Sequence, residues 1–198
     1  MSCSSRPWWL AAALLTGLLL LVACGSGEPP EGRRIVFPDA DNAQPDGSAI
    51  TLTAPTGWVA EPPQGTSRKA QFRLPGEDGA DAEVVVFVFP GGGGSTQANI
   101  DRWVGQFSNP DGTPVANGAR ISSRQVDGMD VALVDVAGTY SPTMRPGESA
   151  SGPLADRRLL GAVIETGGDP WFVRLIGPAT TVGQWESSFH EYIDSASQ

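Results

Sequence analysis

The stretch AEVVVFVFPGGGGSTQANIDRW, residues 82–103, decides the fold. Ala82–Phe89 places apolar side chains on both faces of an extended chain, as in a central strand covered on both sides. Pro90 ends the run, and Gly91–Gly94 follow. Ser95 or Thr96 then caps a helix expected over Thr96–Phe107, where Ile100, Trp103, Val104 and Phe107 recur at i, i+3, i+4, i+7. A strand with two buried faces therefore feeds a helix with one apolar stripe.

Working outward, the same two patterns recur. Ala49–Ala54 and Ala70–Leu74 alternate apolar and polar residues, as half-buried strands do. Arg120–Val126 and Met129–Thr139 flank Asp127-Gly128, a two-residue hairpin signal. Arg158–Glu165 and Trp171–Ile176 flank Thr166–Pro170 as a second hairpin, and both strands are again apolar on two faces. A second helix is expected over Thr181–Ser195, with Val182, Trp185, Phe189, Tyr192 and Ile193 in one stripe. One-sided helices and two-sided strands call for an α+β sandwich: an antiparallel sheet of about six to seven strands with one helix on each face.

Strand, glycines, helix is also the order of a phosphate-binding loop. Gly91–Gly94 lack the Lys-Ser/Thr of a P-loop, and Thr96 stands where a dinucleotide fingerprint needs its third glycine. Helix-start amides attract anions, but the loop reads first as a connector whose glycines allow a sharp turn.

The N-terminus points to export. Trp8–Ala23 is an apolar run of 16 residues broken only by Thr16 and Gly17. That is shorter than the ~20 residues a membrane-spanning helix needs, and it ends in small residues as a signal peptide does. Leu21-Val22-Ala23-Cys24 resembles the lipobox of bacterial lipoproteins. The resemblance implies cleavage after Ala23, a diacylglycerol thioether on Cys24 and frequent acylation of the new amine. Residues 1–23 are then the signal peptide, 24–48 the lipidated cysteine with a flexible tether, and 49–198 a single domain. The tether is rich in Gly, Pro, Asp and Glu and spans roughly 25–30 Å. The partner it implies is a lipid bilayer, held through acylated Cys24. The place it implies is the cell envelope, at the periplasmic face of an outer membrane or an exported surface.

Composition narrows the function. The chain carries −9, and −10 once Arg6 leaves with the signal. Its one lysine, Lys69, and scattered arginines form no basic stripe, which argues against nucleic acid. Cys3 lies in the signal, so Cys24 is the sole mature cysteine and the fold must stand on its core. About 150 residues suffice for one well-buried domain.

Catalytic chemistry is sparse. The only histidine, His190, lies about 80° from Val182 on the helical wheel, at the flank of the stripe, and reads as a surface residue. Gly147–Gly152 misses a nucleophile elbow by one residue and lies in a loop. No catalytic residue, cofactor or transition-metal site is expected. Glu77, Asp78, Asp81 and Glu83 form a hairpin that could offer carboxylates to calcium, although a solvated loop is the simpler reading. Asp39-x-Asp41-Asn42 lacks the glycine and glutamate of a calcium loop. The long loop Ser141–Asp156, with Met144 and Arg145, is a candidate partner surface together with Trp58 and Trp171, whose other reading is core packing.

The element order looks like the PsbP fold of extrinsic photosystem subunits and of a nuclear-transport factor acting on the GTPase Ran. The chain is also similar to a group of bacterial lipoproteins of unknown function. That likeness rests on Ala54-Pro55-x-Gly57-Trp58, Gln71–Gly76, Phe89–Gly94 with Asn99-Ile100-x-Arg102-Trp103, Leu160–Thr166, and Gly177-Pro178-Ala179-x-Thr181 with Trp185. It implies the fold and no activity. The expectation is a membrane-anchored, non-enzymatic binding or accessory module with an envelope protein partner. The alternatives are a calcium or anion sensor and a carboxylate-dependent hydrolase.

Overall fold

The computed structural model describes residues 34–35, 49–115, 118–142 and 152–198. The strands are β1 (Arg34–Ile35), β2 (Leu52–Thr53), β3 (Val59–Glu61), β4 (Arg68–Leu74), β5 (Ala82–Val88), β6 (Phe107–Ser108), β7 (Arg120–Val126), β8 (Met129–Tyr140), β9 (Leu154–Glu165) and β10 (Trp171–Pro178). The helices are α1 (Thr96–Val104), α2 (Ala179–Gln184) and α3 (Glu186–Asp194). Eight strands form one antiparallel sheet in the order β3-β4-β5-β10-β9-β8, and β6 and β7 share the outer edge of β8. The strand β1, inside the expected tether, pairs with β2 as a separate ribbon. Next to it, Thr51 bridges Ser197 through both backbone hydrogen bonds, at 2.8 and 3.1 Å.

The two-sided strands form the middle of the sheet. Along β5, Val84, Val86 and Val88 join one core while Val85 is fully buried on the reverse. β10 splits Trp171, Val173 and Leu175 from Phe172, and β9 splits Leu160, Ala162 and Ile164 from Leu159 and Val163. Alternation along a strand puts the two sets on opposite faces. The larger core also takes Phe72 and Leu74 of β4, Met129, Val131 and Leu133 of β8, Leu52 of β2, Val182 of α2, and Phe189, Tyr192 and Ile193 of α3. The smaller takes Ile100 and Trp103 of α1, Phe107, Val115, and Val134 and Val136 of β8.

Three expected elements differ. The sheet has eight strands rather than six or seven, because β3 and β6 are too short to show a pattern. The first helix stops at Val104 rather than Phe107. Gly105 closes it onto Asp101 O at 2.8 Å, and Phe107 reaches the core as strand, paired with Tyr140. The C-terminal helix is two, broken at Trp185 (φ −99°, ψ 5°). There the indole Nε1 leaves the helix axis to donate to Pro75 O at 2.9 Å.

Several of the motif residues quoted from the sequence meet in this packing. A Cβ on Gly57 would lie 2.8 Å from Trp185 Cη2. Thr181 Oγ1 donates to Ala80 O at 2.7 Å, beside a Gly76 that has no room for a side chain. Trp58 donates to Ser188 Oγ at 3.1 Å and packs edge-on to Phe72 and tilted against Tyr192. Gly161 lets the Trp103 ring lie on β9, since a Cβ there would sit 2.7 Å from it. These motifs hold the fold together.

Candidate functional site

The glycine loop holds an anion of its own. Gly91 N–H donates to Asp169 Oδ1 at 3.0 Å, and Thr96 Oγ1 donates to Glu165. The buried Asn99 side chain donates to Gly93 O at 2.8 Å and Ser95 O at 3.0 Å, clasping the turn from inside. Ser95 caps α1 by accepting from Ala98 N–H at 3.2 Å. Two carboxylates of the chain thus face the place where a phosphate would need positive potential. The geometry is that of a sheet-to-helix connector.

The acidic hairpin is distributed among arginines. Asp81 accepts from Gly76 N–H at 2.9 Å and Arg73 Nη1 at 2.8 Å, and these bonds hold its carboxyl below the usual carboxylate range. Glu83 pairs with Arg68 at 3.1 Å. Glu77 and Asp78 sit apart in an exposed 3₁₀ turn. Among the described residues no three His, Cys, Asp or Glu side chains gather around a common point. His190 is half-buried with its ring against Phe189, and its Nδ1 has no hydrogen-bond partner. Trp171 is in the core at 3 % exposure, and Trp58, half-buried, packs onto the same core. Cys24, the cluster at Asp39–Asn42, and residues 143–151 of the long loop, including Gly147–Ser151, lie outside the described residues. Among the described residues no helix is long and apolar enough to cross a membrane.

The tightest charge cluster is structural. Arg158 of β9 grips Asp135 of β8 with Nε to Oδ1 and Nη2 to Oδ2, both 2.8 Å, and reaches Glu186 of α3 at 2.8 Å. Arg120 of β7 also donates to Asp135. Burial works to raise the Asp135 pKa, but the bonds from Arg158 and Arg120 outweigh it and hold the carboxyl below its ordinary value. Bidentate arginine fixes direction as well as distance. This cluster and the Arg124–Asp194 pair, at 2.8 Å, tie α3 to the sheet.

Opposite that helix, the sheet is covered unevenly. α1, Phe107 and Val115 lie over β8, β9 and Phe172. On β4 and β5 and the end of β10, the same face is lined by Gln71, Arg73, Glu83, Phe87, Arg174 and Ile176. Arg68 and Arg174 flank the Phe87 ring at 5.8 and 6.0 Å from its centroid. A recess of 260 Å³ opens there between β3, β4, β5, β10, β9 and the end of β8. Its charged walls are Glu61, Arg73, Asp81, Glu83 and Arg157, and its apolar walls include Leu154 and Ile176. Arg73 serves Asp81 at 2.8 Å and Glu61 at 3.6 Å. The sequence gives little sign of this recess, because its residues come from six strands and no two stand in a recognisable motif. The one readable signal is polar alternation on β4, where Gln71 and Arg73 separate buried Ala70, Phe72 and Leu74.

No protein-family model matches the chain. No curated protein matches it. Among solved structures it is similar to the cyanobacterial PsbP (CyanoP) of Synechocystis sp. PCC 6803. The TM-score is 0.47 and the identity 17 %, over 89 % of this chain and 97 % of that one. It is also similar to PA94, a protein of unknown function from Pseudomonas aeruginosa, with a TM-score of 0.44 and 16 % identity over 73 % of this chain and 88 % of that one.

Proposed function

We propose that this chain is a membrane-anchored envelope lipoprotein whose domain, a PsbP-like sandwich with helical cover on each face of the sheet, works as a non-enzymatic binding or accessory module. The observation that carries the binding role is the half-open sheet face: a surface of paired charges around a small recess that no helix covers among the described residues, where the opposite face is fully packed. Rigid elements presenting polar groups suit recognition. The anchor rests on Leu21-Val22-Ala23-Cys24, since two or three acyl chains hold a protein on a bilayer where one does not.

Two measurements test the halves of the proposal separately. Cys24→Ser is expected to move the protein from the membrane fraction to the soluble fraction, and retention on membranes would refute the anchor. Crosslinking of the lipidated protein in its own membranes, followed by mass spectrometry, is expected to map crosslinks onto Glu61 or Glu83 of the open half-face. Crosslinks confined to the helical face of α3 would refute the assigned surface.

A further inference from the structure

Arg157 and Arg158 are consecutive on β9 and point to opposite faces of the sheet. Arg158 is locked by Asp135 and Glu186. Arg157 has no ion pair or side-chain hydrogen bond among the described residues, and its Nε is buried without a partner. Every carboxylate in the recess that Arg157 lines is already engaged, Glu61 and Asp81 by Arg73 and Glu83 by Arg68. A buried donor on a cation costs free energy while it stays unpaired. β9 lies between β8 and β10, so the base of this side chain is held by hydrogen-bonded strands on both sides, opposite Gly138 and Pro178.

We propose that this recess binds a small organic monocarboxylate, with the Arg157 guanidinium taking the carboxylate through its planar fork and Leu154, Ile176 and the Tyr140 ring covering an apolar tail. A fork of parallel N–H donors matches a carboxylate in plane. The volume of 260 Å³ admits a ligand of about ring size rather than a peptide or a nucleotide. Glu61, Asp81 and Glu83 on the facing wall penalise a second negative charge, so a monoanion is preferred to phosphate. The inference deepens the binding-module reading and rests on it.

The test uses the full chain purified in detergent, titrated with benzoate and, separately, with inorganic phosphate. The readouts are calorimetry and the arginine Nε–H signals in NMR. Saturable benzoate binding is expected at about 1 mM or tighter, with phosphate at least about tenfold weaker. Arg157→Gln is expected to weaken benzoate about tenfold or more. Arg120→Gln, whose partner Asp135 projects to the opposite face, should leave it unchanged. Arg157→Gln should melt with the parent, so lost affinity reports the site rather than the fold. Absence of saturation, equal affinity for phosphate, or undiminished binding in Arg157→Gln would each overturn the proposal. The titration involves neither membrane nor partner, so its failure would leave the fractionation and crosslinking results standing.

Discussion

The two faces of the sheet are built from the same strands and treated differently. One face is a continuous core from β4 to β8, closed by β2, α2 and α3, with Phe72, Phe189, Tyr192 and Ile193 fully buried. Among the described residues the other is closed where α1 lies, and beyond Phe172 it turns to arginine and glutamate. Arg157 and Arg158 condense the contrast into two adjacent residues: on the closed face the guanidinium is consumed by structure, and on the open one it has no ion pair among the described residues. Stability is concentrated on one side, and that leaves the other free to carry a surface chosen for something besides folding.

Substitutions ranked by expected cost can break this contrast. Phe72→Ala removes a fully buried ring 5.3 Å from Trp58 and 5.9 Å from Tyr192. It should cost about 3–5 kcal/mol in chemical denaturation. A cost below about 1 kcal/mol would mean that the larger core does not dominate. On the covered half of the other face, Gly161→Ala drives a methyl against the Trp103 ring and Val134. A loss of about 2–3 kcal/mol is expected, and a double-mutant cycle with Trp103→Leu should show that most of it is relieved.

Asp135→Asn should cost about 1–2 kcal/mol at neutral pH, since the site is only partly buried. The folded carboxyl titrates below the unfolded value of about 3.9, so its contribution is complete above that value and is lost as pH falls through the folded pKa. The stability gap between parent and variant should therefore be constant above about pH 5 and narrow progressively below about pH 4. A gap that widened on acidification would refute the assignment. Smallest of all, Arg157→Gln should change stability by no more than about 0.5 kcal/mol. A large loss would place Arg157 with Arg158 among the structural residues.

The closed half of the molecule was legible and the open half was not, for a physical reason. Burial on two faces writes itself into Ala82–Val88 and Trp171–Ile176 as apolar runs interrupted once each, by Glu83 and by Arg174, and Asp127-Gly128 announces its turn, with φ of 47° and 79°. The apolar pattern starts β9 at Arg158, whereas the strand begins at Leu154: Leu154 and Arg157 pair with β8 across an irregularity, where Asp156 has a φ of 53°, and that break leaves no period to read. Phe107 satisfied a helical spacing yet is buried as strand, since a spacing records which residues go inward and not the path by which they do. The break at Trp185 had no local cause, because the group that draws the indole away is the carbonyl of Pro75, a hundred and ten residues earlier. The recess is invisible for the same reason: its charges are neighbours only across strands.

The bridge between Thr51 and Ser197 has a topological consequence. It brings the beginning and the end of the domain to one point, so the chain path there is nearly a closed ring. A short linker from Gln198 back to Ala49, with new termini cut in the exposed turn at Glu77–Gly79, should yield a circularly permuted domain that keeps every layer of the sandwich.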